Sequence, residues 1–191
     1  MTSIIEVTTH RLLLRQWRDE DLPLFARINA DPQVMKYFPS VLSIEQSNAM
    51  AHNLRAVISQ KGWGFWAVEL AASGEFIGFV GLNEPAYELP FAPCVEVGWR
   101  LAKAYWGRGY ATEAGRAALA VAFDALALPE VVSFTPVPNK KSRAVMERLG
   151  MTDARQNFMH PAVPEKHPLR EHVLYRITHA EWQVNSNKSQ P

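Results

Sequence analysis

Two periodicities take turns along the chain. Residues 95–101, Val95-Glu96-Val97-Gly98-Trp99-Arg100-Leu101, put Val95, Val97, Trp99 and Leu101 on one face and Glu96, Gly98 and Arg100 on the other, the period-two signature of a strand. Short apolar or β-rich runs at 11–17, 63–70, 76–82, 131–135, 152–158 and 171–178 read as further strands. Helical spacing appears in four places: Leu22, Phe25 and Ile28; Met50, Leu54, Val57 and Ile58; Leu119, Phe123 and Leu126; and Ser142, Val145, Met146 and Leu149. Together they predict an α+β fold with about seven strands and about four helices in the order β-α-α-β-β-β-α-β-α-β-β.

Boundary signals agree with this reading. Arg18-Asp19-Glu20-Asp21 supplies an N-cap and first-turn acids for the first helix, which should stop near Asp31-Pro32. Ser43-Ile44-Glu45-Gln46 has capping-box form at the start of the second. Ser73-Gly74 marks a hairpin turn, and three prolines between 84 and 93 mark a loop leading into the Glu96 strand. Asn139 is a good N-cap and Gly150 a good C′ residue for the last helix. No repeat or linker divides the chain, so residues 1–182 form one domain and the polar residues 183–191 are expected to be a disordered tail.

Composition narrows the function classes. A formal net charge of +1 gives no electrostatic reason to expect nucleic acid. The single cysteine, Cys94, excludes an internal disulfide and any cysteine-based zinc cluster, and no metal is expected. No signal-peptide pattern opens the chain and no apolar run reaches membrane-spanning length, so a cytoplasmic location without membrane association is expected.

The candidate chemistry begins after the Glu96 strand. Trp106-Gly107-Arg108-Gly109-Tyr110-Ala111-Thr112-Glu113 is a glycine turn running into a helix, where unpaired first-turn N–H groups and the helix dipole favour an anion. A P-loop would end Gly-Lys-Ser/Thr, but here the turn reads Arg108-Gly109-Tyr110. A dinucleotide fingerprint would carry a third glycine at Thr112 and a ribose-binding acid at the end of the next strand; Asp124 and Glu130 are not so placed. A nucleotide-binding oxidoreductase therefore fits only in part.

The turn resembles the pyrophosphate loop of the GNAT superfamily of acyl-CoA N-acyltransferases, Gln/Arg-x-x-Gly-x-Gly/Ala, with Trp106 in the first place. That departure and the continuation Ala111-Thr112-Glu113-Ala114 are similar to the RimJ/RimL branch. A second segment, Asn139-x-x-Ser142-x-x-Val145-Met146-x-x-x-Gly150-Met151, resembles the superfamily's Asn-x-x-Ala/Ser segment after its fifth strand. The element order matches over nearly the whole chain, which implies a GNAT fold with a mixed, mostly antiparallel central sheet.

The resemblance implies acetyl-CoA as cosubstrate, with pyrophosphate on the backbone from Gly107 to Thr112 and Arg108 adding charge. It implies pantetheine pairing with Trp99, Arg100 and Leu101, contacts from Asn139 and Ser142, and Arg143 or Lys140 at the 3′-phosphate. Many members carry a tyrosine acid where this chain has Met146, which cannot donate a proton, so Ser142 is the candidate partner of the sulfur. The oxyanion donor is expected from a backbone N–H near Gly98 or Trp99.

Direct transfer to an amine also needs a base. Glu96 is the first candidate, because an acid in a central strand is costly to bury unless paired or functional, and partial burial would raise its pKa. The plainer reading is a salt bridge to Arg100 or Arg15. His160, His167 and His172 are rivals, as is a water chain with no single essential residue. Candidate acceptor contacts are Tyr37, Trp66, Tyr87, His160 and His167, with Phe38, Trp63 and Glu88 behind them. The expected reaction is N-acetylation of a protein N-terminus or a small-molecule amine; a CoA-binding sensor without turnover is the alternative. The acceptor and the oligomeric state, monomer or homodimer, are left open.

Overall fold

The computed structural model describes residues 3–187. Strands β1 (Val7–Thr8) and β2 (Leu12–Arg15) are followed by helices α1 (Asp21–Ala30) and α2 (Ile44–Lys61), with a 3₁₀ turn, Met35–Tyr37, between them. Next come β3 (Phe65–Leu70), β4 (Phe76–Asn83), β5 (Glu96–Leu101), α3 (Tyr110–Ala120), β6 (Glu130–Pro136) and α4 (Lys140–Arg148). The chain ends with β7 (Thr152–Asp153), β8 (Phe158–Met159), β9 (Glu171–Thr178) and α5 (His179–Asn187). One sheet takes the order β1-β2-β3-β4-β5-β6-β9-β7, with β8 also on β9. Every pairing is antiparallel except β5 with β6. This is the GNAT architecture.

The sheet exceeds the expected seven strands for local reasons. The short β1 is one addition. The other comes from 152–158, read as one strand, which splits in two where Arg155 takes φ 53° and its N–H donates to Asp153 Oδ1 at 2.8 Å. Such an Asx turn competes with extended pairing. The expected tail from 183 is also corrected, since α5 is helical to Asn187. Its start is a capping box: Thr178 N–H donates to Glu181 Oε2 at 2.8 Å and Glu181 N–H to Thr178 Oγ1 at 3.3 Å. Trp182 then stacks on Phe123 at 5.7 Å, anchoring the helix. Residues 188–191 of that expected tail lie outside the described residues.

Ser43 and Gln46 form the anticipated capping box of α2. At α1 the acids behave differently. The N-cap, Glu20, makes no side-chain cap bond, and Asp21 turns inward to Arg15, binding Nη1 at 2.8 Å and Nη2 at 2.9 Å. Glu69 Oε2 accepts from Arg15 Nε at 2.7 Å, so β2, β3 and α1 are tied by one buried cation. Beside it, Trp17, Phe25, Phe76 and Phe79 pack edge to face. Helix α3 rests on β4 and β5, burying Ala114, Ala118 and Leu119. Among the described residues no helix is long and apolar enough to cross a membrane.

Between β3 and β4 the register slips, Val68 facing Gly78 and Glu69 facing Phe76, so Ile77 is an extra residue. Gly78 takes φ 136° there, and a Cβ on it would lie 2.1 Å from Arg100 O. Gly78→Ala should therefore lower stability by about 2–4 kcal/mol, read as a reduced urea midpoint with unchanged m-value.

Candidate active site

Strand β5 pairs along its length with β4, from Asn83 opposite Glu96 to Gly78 opposite Leu101, but meets β6 only at Glu96 opposite Val132. Two bonds close this junction: Val132 N–H to Val95 O at 2.9 Å, and Ser133 Oγ to Val97 O at 2.8 Å. Beyond it the strands part. Trp99, Arg100 and Leu101 line one lip of a cleft and Phe134, Thr135 and Pro136 the other. Its volume of about 2580 Å³ exceeds the roughly 300–1000 Å³ of a single-ligand pocket, leaving room for two reactants.

Helix α3 opens onto one end of this cleft. Gly107 at φ 74° and Gly109 at φ 81° turn the chain into it, and the Gly109 N-cap has no side chain to offer. Glu113 N–H bonds Gly109 O at 3.0 Å, whereas the N–H groups of Tyr110, Ala111 and Thr112 have no acceptor among the described residues. These free donors, with open space around the Gly107 Cα, suit a phosphate oxygen. Trp106 Nε1 donates to Leu101 O at 2.9 Å, which ties the loop to the end of β5 and gives the unusual tryptophan a positioning role.

The loop is braced by residues the sequence reading did not single out. Glu113 accepts from Thr9 Oγ1 at 2.6 Å, Arg11 N–H at 2.9 Å and Arg11 Nε at 2.6 Å. Arg11 Nη1 in turn donates to Arg108 O at 3.0 Å. Burial alone would raise the Glu113 pKa, but these hydrogen bonds outweigh it and lower the value. Nothing local in the sequence links residue 11 to residue 113.

On the opposite lip, Asn139 caps α4, its Oδ1 accepting from Ser142 N–H at 3.3 Å. Its Nδ2 donates to Thr135 Oγ1 at 2.8 Å and to Ser142 Oγ at 3.0 Å. Because Ser142 Oγ is an acceptor in that bond, its own proton is free to donate into the cleft. Lys140 and Lys141 line the cleft, and Lys141 Nζ lies 4.7 Å from the centre of the Trp106 ring.

Glu96 is half-buried at the junction where β5 and β6 separate. Burial pushes its carboxyl up to about 7, and a 2.8 Å hydrogen bond from Asn83 Nδ2 to Oε1 restrains the rise. The alternative of a salt bridge to Arg100 or Arg15 is not found: Arg15 pairs with Asp21 and Glu69, and Arg100 Nη1 donates to Asn29 Oδ1 at 2.7 Å. Burial and the nearby Glu96 charge push Tyr87 up to about 12 and the Cys94 thiol up to about 11, so Cys94 is a protonated and poor nucleophile near neutrality.

Among the rival bases, His160 and His172 do reach the cleft, with rings 4.7 Å apart and His160 4.9 Å from Tyr87. Burial lowers His160 and carries His172 down to about 4, which leaves both neutral and weakly basic at pH 7. His167 is elsewhere: its Nδ1 accepts from Leu169 N–H at 3.2 Å inside a turn.

Tyr37, Phe38 and Tyr87 line the cleft. Trp66 does not; it is fully buried, and its indole N–H donates to Ile5 O at 2.8 Å. Arg143 also turns away, its Nη2 3.8 Å from Asp153 Oδ2 and its Nε 3.4 Å from the Tyr175 hydroxyl. Arg108 lies over the Tyr105 ring at 5.8 Å, outside the cleft lining, so its part in the loop is through its carbonyl. The sequence placed Trp66 on its strand and Arg143 on its helix, but side-chain direction depended on neighbours distant in sequence.

Comparison with known proteins agrees with this geometry. A family profile described as an acetyltransferase (GNAT) domain matches residues 11–152. The FsC-acetyl coenzyme A-N(2)-transacetylase of Aspergillus fumigatus is 32% identical, the alignment covering 95% of this chain and 80% of that protein. The crystal structure of an acetyltransferase from Agrobacterium tumefaciens superposes with a TM-score of 0.73 at 32% identity, over 93% of this chain and 96% of the other. The ribosomal-protein-S5-alanine acetyltransferase of Vibrio fischeri, 17% identical with a TM-score of 0.72 over 93% of this chain and 98% of its own, shares the fold. With the parted strands, the glycine loop and the Asn139 helix all in place, the chain belongs to the GNAT family of acetyltransferases, enzymes that carry acetyl from acetyl-CoA to an amine.

Proposed function

We propose that this protein acetylates a primary amine directly, with Glu96 as general base and Ser142 as the hydroxyl donor to the leaving sulfur. The observation that carries the reading is the Glu96 carboxyl, raised to about 7 and standing where β5 and β6 separate, in the same cleft as the free α3 N–H groups and the Ser142 hydroxyl. Acetyl-CoA when bound supplies an activated thioester. The N–H groups of Tyr110, Ala111 and Thr112 hold its pyrophosphate, and Lys140 and Lys141 supply positive charge at the phosphate end. The edge of β5 beyond Val97 that β6 leaves unpaired, where Trp106 Nε1 occupies only Leu101 O, offers a strand-like pantetheine arm backbone partners. Glu96 takes the amine's proton through its less encumbered Oε2, directly or across a water, and Ser142 gives a proton from Oγ. Near neutrality the protonated Cys94 thiol supports transfer without an acyl-cysteine. The Aspergillus relative's name specifies a nitrogen acceptor, which supports an amine here too. The second reading, a CoA-binding sensor, draws on Met146, a non-donor buried at the position of the usual tyrosine acid.

Measurements on variants at each of these positions test the assignment. In titration calorimetry, Lys140→Ala with Lys141→Ala should weaken CoA binding about tenfold and flatten its salt dependence, whereas Arg143→Ala should leave the affinity near wild type; the reverse pattern would restore Arg143 to the phosphate site. Ser142→Ala should lower kcat about 10–100-fold with little change in KM for acetyl-CoA. An unchanged kcat would remove Ser142 from the chemistry.

Glu96→Gln should lower kcat about 100-fold at pH 7 and abolish the limb on which the wild-type rate rises through about pH 7 as the carboxyl ionises. The same substitution has a stability signature. Because the folded pKa lies above the ordinary value of 4.5, the native state holds the proton more tightly, and stability falls as pH rises from about 4.5 to about 7. Glu96→Gln should therefore melt higher than wild type at pH 8, with the gap closing towards pH 4. Turnover of acetyl-CoA with an amine panel, followed by thiol release, separates enzyme from sensor.

A further inference from the structure

Two arginines in the interior are compensated in opposite ways. Arg15, 2% exposed, is held by three hydrogen bonds to the carboxylates of Asp21 and Glu69. Arg100, 8% exposed, has no carboxylate partner among the described residues. Among the described residues its one oxygen acceptor is Asn29 Oδ1 at 2.7 Å; Nε is buried without a partner, and no hydrogen bond from Nη2 is formed there. What surrounds it is apolar: the Phe38 ring at 4.2 Å, the Phe79 ring at 5.4 Å, and Met50 Sδ 3.7 Å from Nη1. Burial lowers its pKa to about 10, so it remains a cation at neutral pH.

A desolvated guanidinium normally has a counter-ion, and an apolar side chain would fill the same space without the penalty. The aromatic faces offset part of that penalty but leave the Nε–Nη2 edge without an acceptor. That residue lines the cleft. It also shares a face of β5 with Glu96, four residues away, or about 13 Å along an extended strand. Its neighbours Asn29, Phe38 and Met50 belong to α1, α2 and the segment joining them, whereas the phosphate end is framed by α3 and α4. The unpaired cation is therefore on the acceptor's side.

We propose that Arg100 recognises a carboxylate on the acceptor, so that the amine acetylated by this protein also bears an acid group. The carboxylate takes the unpartnered Nε–Nη2 edge beside Phe38, and the amine lies towards Glu96. A guanidinium fork matches carboxylate and phosphate geometry alike. Here one guanidinium among Phe38, Phe79 and Met50 balances a single negative charge and not two, which favours the carboxylate. The proposal rests on the transferase reading.

The test uses the full chain, acetyl-CoA and ω-amino acids from glycine to 6-aminohexanoate, each beside its amide, with 2-aminoethylphosphonate as the dianionic probe. At the preferred spacing, wild-type kcat/KM should be at least about tenfold higher for the acid than for the amide. Arg100→Met should erase that ratio and Arg100→Lys should keep part of it, with CoA affinity by calorimetry checking that each variant is folded. Equal use of acids and amides by the wild type, a ratio that survives in Arg100→Met, or a preference for the phosphonate would overturn the proposal. If acetyl-CoA binds but no probe at any spacing is acetylated, the transferase reading fails, and the carboxylate role fails with it.

Discussion

The single parallel register pair between Glu96 and Val132 is the constraint on which the site depends. It joins the antiparallel block β1 to β5 to the block formed by β6, β9, β7 and β8. A parallel neighbour needs a crossover, and here the crossover is α3, which therefore begins beside the end of β5. Because the pairing stops after one register position, the sheet keeps its continuity at Glu96 and opens a cleft beyond it. A longer ladder would close that cleft, and no ladder would leave the two lips without a fixed separation. Glu96 stands at the fork with β4 on one side and β6 on the other, which holds the carboxyl where a reactant would enter.

Three ionisable side chains, the buried Arg15 and Arg100 and the half-buried Glu96, differ in how they are compensated, and the difference separates structure from function. Arg15 is saturated by Asp21 and Glu69 and works as a tie between β2, β3 and α1. Glu96 has one neutral partner, Asn83, so burial governs its proton affinity. Arg100 has a neutral partner and aromatic faces, so its charge is the least compensated of the three. A buried charge fully answered by its own chain has little left to offer a ligand. The incompletely answered pair, one acid and one base on the same strand face, lines the cleft.

Much of the fold was legible because its signals are local. The Ser43 capping box, the Asn139 cap and Gly150 at φ 81° follow from side chains acting on backbone within a few residues. Alternation along 95–101 marked β5, and the spacing of Gly107 and Gly109 marked the entry to α3. Helix α5 was not read from the sequence, where the polar residues after Trp182 suggested a tail; Thr178 and Glu181 cap it and Trp182 packing on Phe123 holds it. The break at Arg155 was harder to see, since an Asx turn and an extended run can share a composition.

By itself the sequence determined the order of elements from β2 to α4, the glycine-led anion turn, the serine one turn into α4 and the presence of an acid on the central strand. These depend on periodicity, capping and backbone freedom, all short-range properties. Tertiary structure decided which side chains face the cleft. It turned Arg143 to Asp153, buried Trp66 against Ile5, set Asn83 opposite Glu96 and left Arg100 without a carboxylate. Each of those outcomes depends on a neighbour brought close only by strand register or helix packing, and so does the pKa of Glu96. The sequence therefore carried the glycine turn and the acid's place on the strand, and desolvation in the folded state raised that acid's proton affinity.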